Sequence, residues 1–281
     1  MNAGQSCHVS KLETVLVATD RSPFSEGAIT AAITFAKHCS SKLYVMTVVE
    51  TNPEYETAGA ELLQKEEEEA ARDLAALKTR TLREISSCET IFRRGDSASR
   101  LIVEEAGRKK VDMLVVGRRG RSGLEKVLLG SAAAKVIGHA PCKVLVVPRA
   151  AGVEFKNILV ATDGSEHSLA AVTEAMEIAK RCGSRLTVIS VALSEGEKEK
   201  ARANAGDAAR AAGQAGISAE TMTPVGKPHA VIAATAKNTG VDLIVLGAYG
   251  KTGLKKLLMG STTEKVIGLA GCAVLVAKAA Q

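Results

Sequence analysis

Short apolar runs alternate with longer stretches of helix-like composition along the whole 281-residue chain. Several runs are uninterrupted Val, Leu and Ile, a pattern typical of parallel strands that are buried on both faces. The predicted strands are residues 14–19, 42–49, 88–92, 111–117 and 143–148, then 157–162, 185–192, 218–223, 241–247 and 273–277. This β-α-β-α order predicts an α/β fold with doubly wound parallel sheets. Ligands of such sheets bind beyond the carboxyl ends of the strands.

Helical periodicity follows the first strand of each half. Ser22-Pro23 predicts a helix start, because serine caps helices and proline fits the first helical turn. Buried helix faces are predicted for Ile29, Ala32, Ile33 and Ala36, and in the second half for Leu169, Val172, Met176 and Ala179. Residues 54–84 and 194–215 are rich in charge, which we interpret as solvated helix faces.

The second half of the chain repeats the first. Asp163 follows Asp20 by 143 residues within the similar segments TVLVATDRS and NILVATDGS. Near the ends of the halves, PCKVLVVP and GCAVLVAK are separated by 130 residues, so the second copy is shorter in its middle. A repeat of this length predicts two tandem domains, residues 1–150 and 151–281. The linker between the two domains is short, which predicts that they pack on each other.

A glycine motif follows the fourth predicted strand in both copies. It consists of Gly117, Gly120, Gly130 and Ser131 in the first copy, and of Gly247, Gly250, Gly260 and Ser261 in the second. Glycine lets backbone N–H groups approach a ligand and adopts positive φ without steric cost. The helix predicted after each Gly-Ser pair begins with free N–H groups, which favour phosphate. A plain strand-to-helix connection is the alternative, but the repetition in two diverged copies favours phosphate binding.

Charged residues surround the motif. The nearby cations are Arg118, Arg119, Arg121 and Lys126, and Lys251, Lys255 and Lys256. Asp20 and Asp163 end the first strand of each copy, and strands one and four are neighbours in a doubly wound sheet. Each aspartate is therefore predicted to face the glycine motif and to accept a hydrogen bond from a nucleobase amine or a ribose hydroxyl. Its alternative role is to cap the helix that follows.

These residues resemble the universal stress protein family in its tandem two-domain form, over about residues 11–148 and 154–278. The family motif G-2x-G-9x-G-(S/T) is unbroken in both copies. The resemblance implies a five-stranded parallel sheet per domain, with strand order 3-2-1-4-5 and flanking helices. It also implies that residues 143–148 and 273–277 pair across the copies as a pseudo-dimer, and it leaves a homodimer of two chains open. The implied ligand is ATP, or AMP or ADP, with Mg²⁺.

The resemblance assigns site residues position by position. The adenosine end would consist of Ala18, Asp20, Val48 and Val116 in the first copy, and of Ala161, Asp163, Val191 and Leu246 in the second. The phosphate end would consist of Gly117, Arg118, Gly120, Gly130, Ser131 and Ala132, and of Gly247, Gly250, Gly260, Ser261 and Thr262. Ala248-Tyr249 replaces Arg118-Arg119 in the second copy, which argues for weaker triphosphate binding there.

Composition excludes several other functions. The net charge of +6 is shared evenly by the two halves and aromatic residues make up 2%, so neither a basic nucleic-acid face nor base stacking is expected. No apolar run is long enough to cross a bilayer, and the N-terminus lacks the apolar stretch of a signal peptide. The six cysteines lack a C-x-x-C spacing, so we expect unpaired thiols in a cytoplasmic protein. The five histidines lack metal-ligand spacing, so no metal site made of protein side chains alone is expected.

No catalytic constellation is evident from the sequence. A Walker A loop, a G-x-G-x-x-G after a first strand, and matched Ser/His/Asp or Cys/His sets are all missing. Together with the resemblance, this absence predicts a nucleotide-binding stress-response protein rather than an enzyme, in which nucleotide occupancy tunes the shape of the protein or its binding to a protein partner. The alternatives are a slow ATPase and a nucleotide-free scaffold that acts through its helices and edge strands.

Overall fold

A computed structural model describes residues 12–51, 59–120, 129–250 and 259–279. The strands are β1 (Thr14–Thr19), β2 (Lys42–Glu50), β3 (Cys88–Gly95), β4 (Met113–Gly117), β5 (Lys143–Val147), β6 (Asn157–Ala161), β7 (Arg185–Ile189), β8 (Ala219–Met222), β9 (Leu243–Gly247) and β10 (Ala273–Ala277). The helices are α1 (Glu26–Cys39), α2 (Ala60–Leu82), α3 (Ala98–Arg108), α4 (Ser131–His139), α5 (Glu166–Cys182), α6 (Lys198–Gln214), α7 (Pro228–Asn238) and α8 (Ser261–Leu269). A short 3₁₀ helix, Glu195–Glu197, precedes α6. Every predicted strand is present, with end positions that differ by up to three residues.

All ten strands form one sheet with the order β3-β2-β1-β4-β5-β10-β9-β6-β7-β8. Each half is parallel and has the predicted order 3-2-1-4-5. The halves join through antiparallel pairing of β5 with β10, in which Leu145 lies opposite Leu275. Leu275 is the repeat counterpart of Leu145, so a pseudo-two-fold axis passes between them. The expected pairing of the last strands is confirmed, whereas the division at residue 150 stays a prediction.

Helices cover both faces of the sheet, and an apolar core that spans both halves lies under each layer. One core packs beneath α1, α2, α5 and α6, and the other beneath α3, α4, α7 and α8. Every residue of β5 and β10 is buried, as continuous apolar runs require of central strands. None of the described helices combines the length and the apolar character that a membrane span requires.

The start of α1 differs from the prediction. The helix begins at Glu26, not at Ser22-Pro23, because the first backbone hydrogen bond between residues four apart runs from the N–H of Ile29 to the carbonyl of Ser25, at 3.0 Å. The N–H of Ser25 donates to the carbonyl of Ser22, which closes a turn before the helix. In the second half, Ser165, the counterpart of Ser22, does cap its helix by accepting from the N–H of Ser168.

The predicted buried faces are correct for α1 and only partly correct for α5. All four predicted positions of α1 are buried. In α5, Val172 and Ala179 are buried and Met176 is half-buried, but Leu169 is 51% exposed. The buried face of α5 includes Ser168 and Ala171, so its first position is Ser168 rather than the predicted Leu169.

Side chains of the two halves interlock beneath α1 and α5. The ring of Phe35 meets Phe155 edge-on with their centroids 5.2 Å apart. Nζ of Lys143 lies 2.6 Å from Oε2 of Glu174, and these side chains are only 6% and 17% exposed. The contact between the halves is therefore both apolar and ionic on this face of the sheet.

Candidate functional site

The carboxyl ends of the strands bring the aspartate and the glycine motif together in both halves. A Cβ atom placed on Gly120 would lie 3.2 Å from Oδ2 of Asp20. A Cβ atom placed on Gly250 would lie 3.0 Å from Oδ2 of Asp163. The predicted proximity of aspartate and motif is thus confirmed, and it explains why glycine suits the second position of the motif.

Each aspartate also organises the turn that leads into the next helix. Oδ1 of Asp163 accepts hydrogen bonds from the N–H and Oγ of Ser165 at 3.0 and 2.5 Å. Oδ1 of Asp20 makes the equivalent bonds with Ser22. One carboxylate oxygen therefore serves the turn while the other faces the glycine motif, so both roles are compatible. Contact of the aspartate with a ligand stays a prediction.

The motif glycines are required for close approach rather than for unusual backbone angles. In the described part of the chain, the glycines with positive φ are Gly164, Gly183, Gly216, Gly226 and Gly240, so the motif glycines do not use this freedom. A Cβ on Gly117 would lie 3.1 Å from the carbonyl oxygen of Phe24, and one on Gly247 would lie 2.6 Å from that of His167. The first motif glycine therefore lets the end of β4 or β9 pack directly on the start of α1 or α5, the helix that follows the first strand of the same half.

The last two motif residues form a helix start without a side-chain cap. Gly130 and Gly260 precede α4 and α8 with extended backbone, φ −66° and ψ 145° and φ −69° and ψ 145°, and neither end has a side-chain hydrogen bond. Their N–H groups donate to the carbonyls of Arg118 and Ala248 at 2.9 and 2.8 Å, which holds the loop against the helix. A helix start of this kind presents N–H groups and a positive dipole end to an anion.

A cavity of about 750 Å³ opens at this edge of the second half. All nine residues predicted for the second site line it: Ala161, Asp163, Val191, Leu246, Gly247, Gly250, Gly260, Ser261 and Thr262. The volume lies within the range of small-molecule pockets, and the lining combines apolar side chains with a few polar groups, as such pockets do. The structure therefore brings the predicted second-site residues together around one space.

Helix α6 and the 3₁₀ turn before it supply lining residues that the sequence analysis missed. Glu197, Lys200, Ala201 and Asn204 all face the cavity. Their i, i+3, i+4, i+7 spacing is the signal that could have identified them, since it marks one face of a helix. Glu197 and Lys200 are exposed, as the interpretation of residues 194–215 as solvated faces predicts, but they also line the cavity, where Lys200 places a positive charge.

The first half differs at the residue after the aspartate. Gly164, with φ +76°, lies so close to α6 that a Cβ would be 2.5 Å from Oδ1 of Asn204. Its counterpart Arg21, with φ +62°, extends a nearly buried side chain that lies 2.9 Å from Glu66 and 3.6 Å from Asp73 of α2. A cavity of about 180 Å³ beside this turn has none of the predicted first-site residues among the described residues that line it.

The first-site residues nevertheless occupy equivalent places at the sheet edge. Ala18 lies opposite Met46 of β2 and Val116 of β4, and Val48 lies two positions further along β2. Ser131 and Ala132 form the start of α4. Of the predicted cations, Arg121, Lys126, Lys251, Lys255 and Lys256 lie outside the described residues.

Arg118 requires a correction, because its side chain points into the other half of the chain. Nη1 donates to the carbonyl of Ala270 at 2.7 Å and lies 3.4 Å from the carbonyls of Ile267 and Gly268, at the end of α8. Its backbone N–H donates to the carbonyl of Val147 at 2.9 Å. A cation at a helix C-terminus satisfies carbonyls and complements the dipole, so Arg118 serves the contact between halves rather than the phosphate end.

Lys278 performs the reciprocal role. Its Nζ donates to the carbonyl of Ala140 and lies 3.5 Å from that of Gly138, at the end of α4. Ala140 and Gly138 are the repeat counterparts of Ala270 and Gly268. Burial lowers the pKa of both cations below their usual values. The second copy has Ala248 in place of Arg118, but Lys278 performs the equivalent capping role for the other half. The absence of an arginine at position 248 is therefore weak evidence about phosphate affinity.

Two matches to one family model cover nearly the whole chain. The model of the universal stress protein family matches residues 11–148 and again residues 154–278. The chain belongs to the universal stress protein family. The duplicated match also shows that it is a tandem member of that family.

Two curated relatives within the universal stress protein family each match about one half of the chain, and a solved structure matches nearly all of it. Universal stress protein MJ0531 of Methanocaldococcus jannaschii is 34% identical over 140 residues, covering 44% of this chain and 82% of the relative. Universal stress protein YxiE of Bacillus subtilis is 30% identical over 147 residues, covering 44% and 99%. The crystal structure of a universal stress protein from Archaeoglobus fulgidus covers 96% of this chain and 100% of its own at a TM-score of 0.77 and 24% identity, which shows that the fold is shared.

Proposed function

We propose that this universal stress protein binds an adenine nucleotide, ATP or else AMP or ADP, in the cavity of its second half, and that occupancy regulates its conformation or its binding to a protein partner. The observation that carries the proposal is the convergence of all nine predicted second-site residues on one cavity of about 750 Å³. The first half is proposed as a second nucleotide site of related construction.

The lining of the cavity fits the two chemically different ends of a nucleotide. Ala161, Val191 and Leu246, together with Ile189 and Ile232, provide apolar contacts suited to a purine ring. The uncapped start of α8 at Gly260 provides N–H groups for phosphate oxygens, and each hydrogen bond to a charged group contributes about 1.5–3 kcal/mol. Asp163 would accept a hydrogen bond from the ribose or the base.

Helix α6 gives nucleotide binding a route to a conformational change. Lys200 and Asn204 of α6 line the same cavity as Ser261 at the start of α8. A bound nucleotide would therefore contact both helices at once and stabilise their present separation. A ligand at 100 times its Kd stabilises the state that binds it by about 2.7 kcal/mol, enough to shift a two-state equilibrium about 100-fold.

The residues present also fit Mg²⁺ as a companion of the phosphates. Magnesium in nucleotide sites is held by one or two carboxylates together with substrate phosphates. The cavity is lined by the carboxylates Asp163 and Glu197 and by the hydroxyls of Ser261 and Thr262. In the described part of the chain, His, Cys, Asp and Glu nowhere form a cluster of three that could hold a metal. We therefore propose that Mg²⁺ arrives with the nucleotide, where it would neutralise phosphate charge.

We infer binding rather than turnover. A hydrolase requires a base or nucleophile that is oriented by a third group, and the sequence offers no such set. A cytoplasmic location, a homodimer and a protein partner remain parts of the proposal. The last strands already pair within the chain, so any homodimer would use another surface, such as the sheet edges β3 and β8.

Equilibrium dialysis with labelled ATP and Mg²⁺ tests the proposed cavity. Gly260→Val adds a side chain at the start of α8, where a Cβ meets its nearest neighbour, the carbonyl oxygen of Ala248, at an ordinary 3.5 Å. The variant should fold and lose binding at the second site, whereas Lys200→Ala should weaken it about 10-fold through loss of one charged contact. Gly271→Val is the matched control, because a Cβ there meets no atom within 4 Å among the described residues.

The outcome separates the proposal from its alternatives. Unchanged ATP binding by folded Gly260→Val would contradict the assignment of the cavity. Nucleotide released from gently purified protein and identified by mass spectrometry would argue against the nucleotide-free scaffold. Phosphate release over many turnovers would instead favour the slow ATPase.

A further inference from the structure

Two cysteines meet where the two halves of the chain pack together. Cys39 is the last residue of α1 and Cys182 the last residue of α5, and both are half-buried against the core beneath these helices. The two side chains lie within interaction distance of each other, since each perturbs the pKa of the other. Cys182 is the repeat counterpart of Cys39. Their contact therefore lies on the pseudo-two-fold axis that also passes between Leu145 and Leu275.

The surrounding contacts hold the two sulfur atoms together. Phe35, one turn before Cys39 on α1, packs edge-on against Phe155 of the other half. The ion pair between Lys143 and Glu174 joins β5 to α5 nearby at 2.6 Å. Because these contacts fix α1 and α5 relative to each other, the thiol contact is a property of the folded chain and not of a mobile segment.

The charges around the pair act differently on the pKa of the two thiols. The hydrogen bond from Cys182 lowers the pKa of Cys39 most, and the positive charges of Arg181 and Lys143 lower it further against the effect of burial. The same hydrogen bond and burial raise the pKa of Cys182. A half-exposed thiol whose pKa is lowered, beside a second thiol, is the arrangement of a redox-sensitive pair.

A second symmetric pair of cysteines lacks this environment. Cys142 and Cys272 are also repeat counterparts. Burial raises the pKa of each to about 11, and neither has another cysteine among the groups that shift it. These two thiols are thus protonated at neutral pH and serve as an internal comparison.

We propose that Cys39 and Cys182 form a redox-modification site, at which a peroxide links the two halves of the chain by an intramolecular disulfide. The Sγ of Cys39 attacks one peroxide oxygen, the O–O bond breaks, and the leaving hydroxide takes up a proton to give water and a sulfenic acid. The Sγ of Cys182 then attacks the sulfenic sulfur, the S–O bond breaks, and the departing hydroxide leaves as a second water with the thiol proton. The two sulfurs lose two electrons in total, and the peroxide is reduced to two waters.

The disulfide would join helices that also reach the nucleotide sites. Both α1 and α5 begin at the turns organised by Asp20 and Asp163 and end at the cysteines. Oxidation would therefore tie the far ends of these helices together and restrict movement of one half against the other. The site itself does not depend on the proposed nucleotide function.

Treatment of the folded full-length protein with hydrogen peroxide tests the proposal. Thiol titration after denaturation should fall from six to four thiols per chain, and dithiothreitol should restore all six. Mass spectrometry of a non-reduced digest should find the peptides of Cys39 and Cys182 linked. Cys182→Ser should stop at a sulfenic acid on Cys39 that dimedone traps, whereas Cys39→Ser should form neither product.

The double variant Cys142→Ser, Cys272→Ser is the matched control and should still form the link. Circular dichroism confirms that each variant is folded, and Cys39→Ala and Cys182→Ala replace any serine variant that is not. A folded wild-type protein that retains six thiols overturns the proposal. So does a disulfide that involves other cysteines, or one that joins two chains.

Discussion

Replacing Arg118 by alanine separates a role in the fold from a role in phosphate binding. The guanidinium of Arg118 donates to the carbonyl of Ala270 at 2.7 Å and lies 3.4 Å from two further carbonyls at the end of α8. A hydrogen bond from a charged donor contributes about 1.5–3 kcal/mol, and a cation at a helix C-terminus adds up to about 2 kcal/mol in partly buried sites. Burial of the guanidinium opposes both terms, as its lowered pKa indicates. We expect Arg118→Ala to lower the free energy of unfolding by about 2 kcal/mol.

If Arg118 bound phosphate instead, its loss would weaken ATP binding rather than lower the free energy of unfolding. Loss of one charged contact to ATP would weaken binding about 10- to 150-fold. The structure instead predicts less than a two-fold change in the Kd for ATP, together with a lower midpoint of urea denaturation. Lys278→Ala should destabilise the chain similarly, because it caps α4 in the equivalent way.

The control for this prediction is Arg100→Ala. Arg100 is 59% exposed and pairs with Asp96 and Glu104 at the surface, so its loss should change the unfolding free energy by less than about 0.5 kcal/mol. A variant Arg118→Ala with wild-type stability and a Kd for ATP raised tenfold or more would refute the assignment of this side chain to the contact between halves.

Two further perturbations test the packing and the electrostatics. Phe155 is 1% exposed and meets Phe35 across the halves, so Phe155→Ala should cost about 3–5 kcal/mol in urea denaturation, while a loss below 1 kcal/mol would show that this contact is dispensable. Burial raises the pKa of Asp242, so its carboxyl group holds a proton more tightly in the folded state than in the unfolded state. The free energy of unfolding therefore falls as the pH rises from the ordinary aspartate pKa through the raised one. Asp242→Asn should remove that fall, and unfolding curves of variant and wild type that stay parallel across this pH range would contradict the prediction.

The repeat made most of the fold and the second site predictable. Strand runs such as residues 273–277 are continuously apolar and are bounded by other residue types, so the hydrophobic pattern alone identifies them. A motif that occurs twice with the same spacing indicates which glycines belong together, and parallel topology then places Asp163 beside Gly250. These inferences depend on local pattern and on topology, both of which a sequence carries directly.

The missed features depend on where long side chains point and on how the halves dock. Arg118 has five donors and a long reach, and only the tertiary structure shows that its nearest acceptors lie at the end of α8. The sequence does not identify Lys200 as a cavity residue, because its position at the cavity depends on how α6 packs in the folded chain. The proximity of Cys39 and Cys182 also depends on how the halves dock. Two equivalent residues of a repeat can touch each other only on its symmetry axis. The position of that axis follows from the pairing of β5 with β10, which the sequence alone does not locate.

A crystal structure of the protein grown with ATP and Mg²⁺ tests the central claim most directly. Nucleotide density should fill the cavity of the second half, with the base against Val191 and Leu246 and the phosphates at the N–H groups that follow Gly260. A cavity that stays empty at saturating nucleotide, or a nucleotide bound away from the start of α8, would contradict the account.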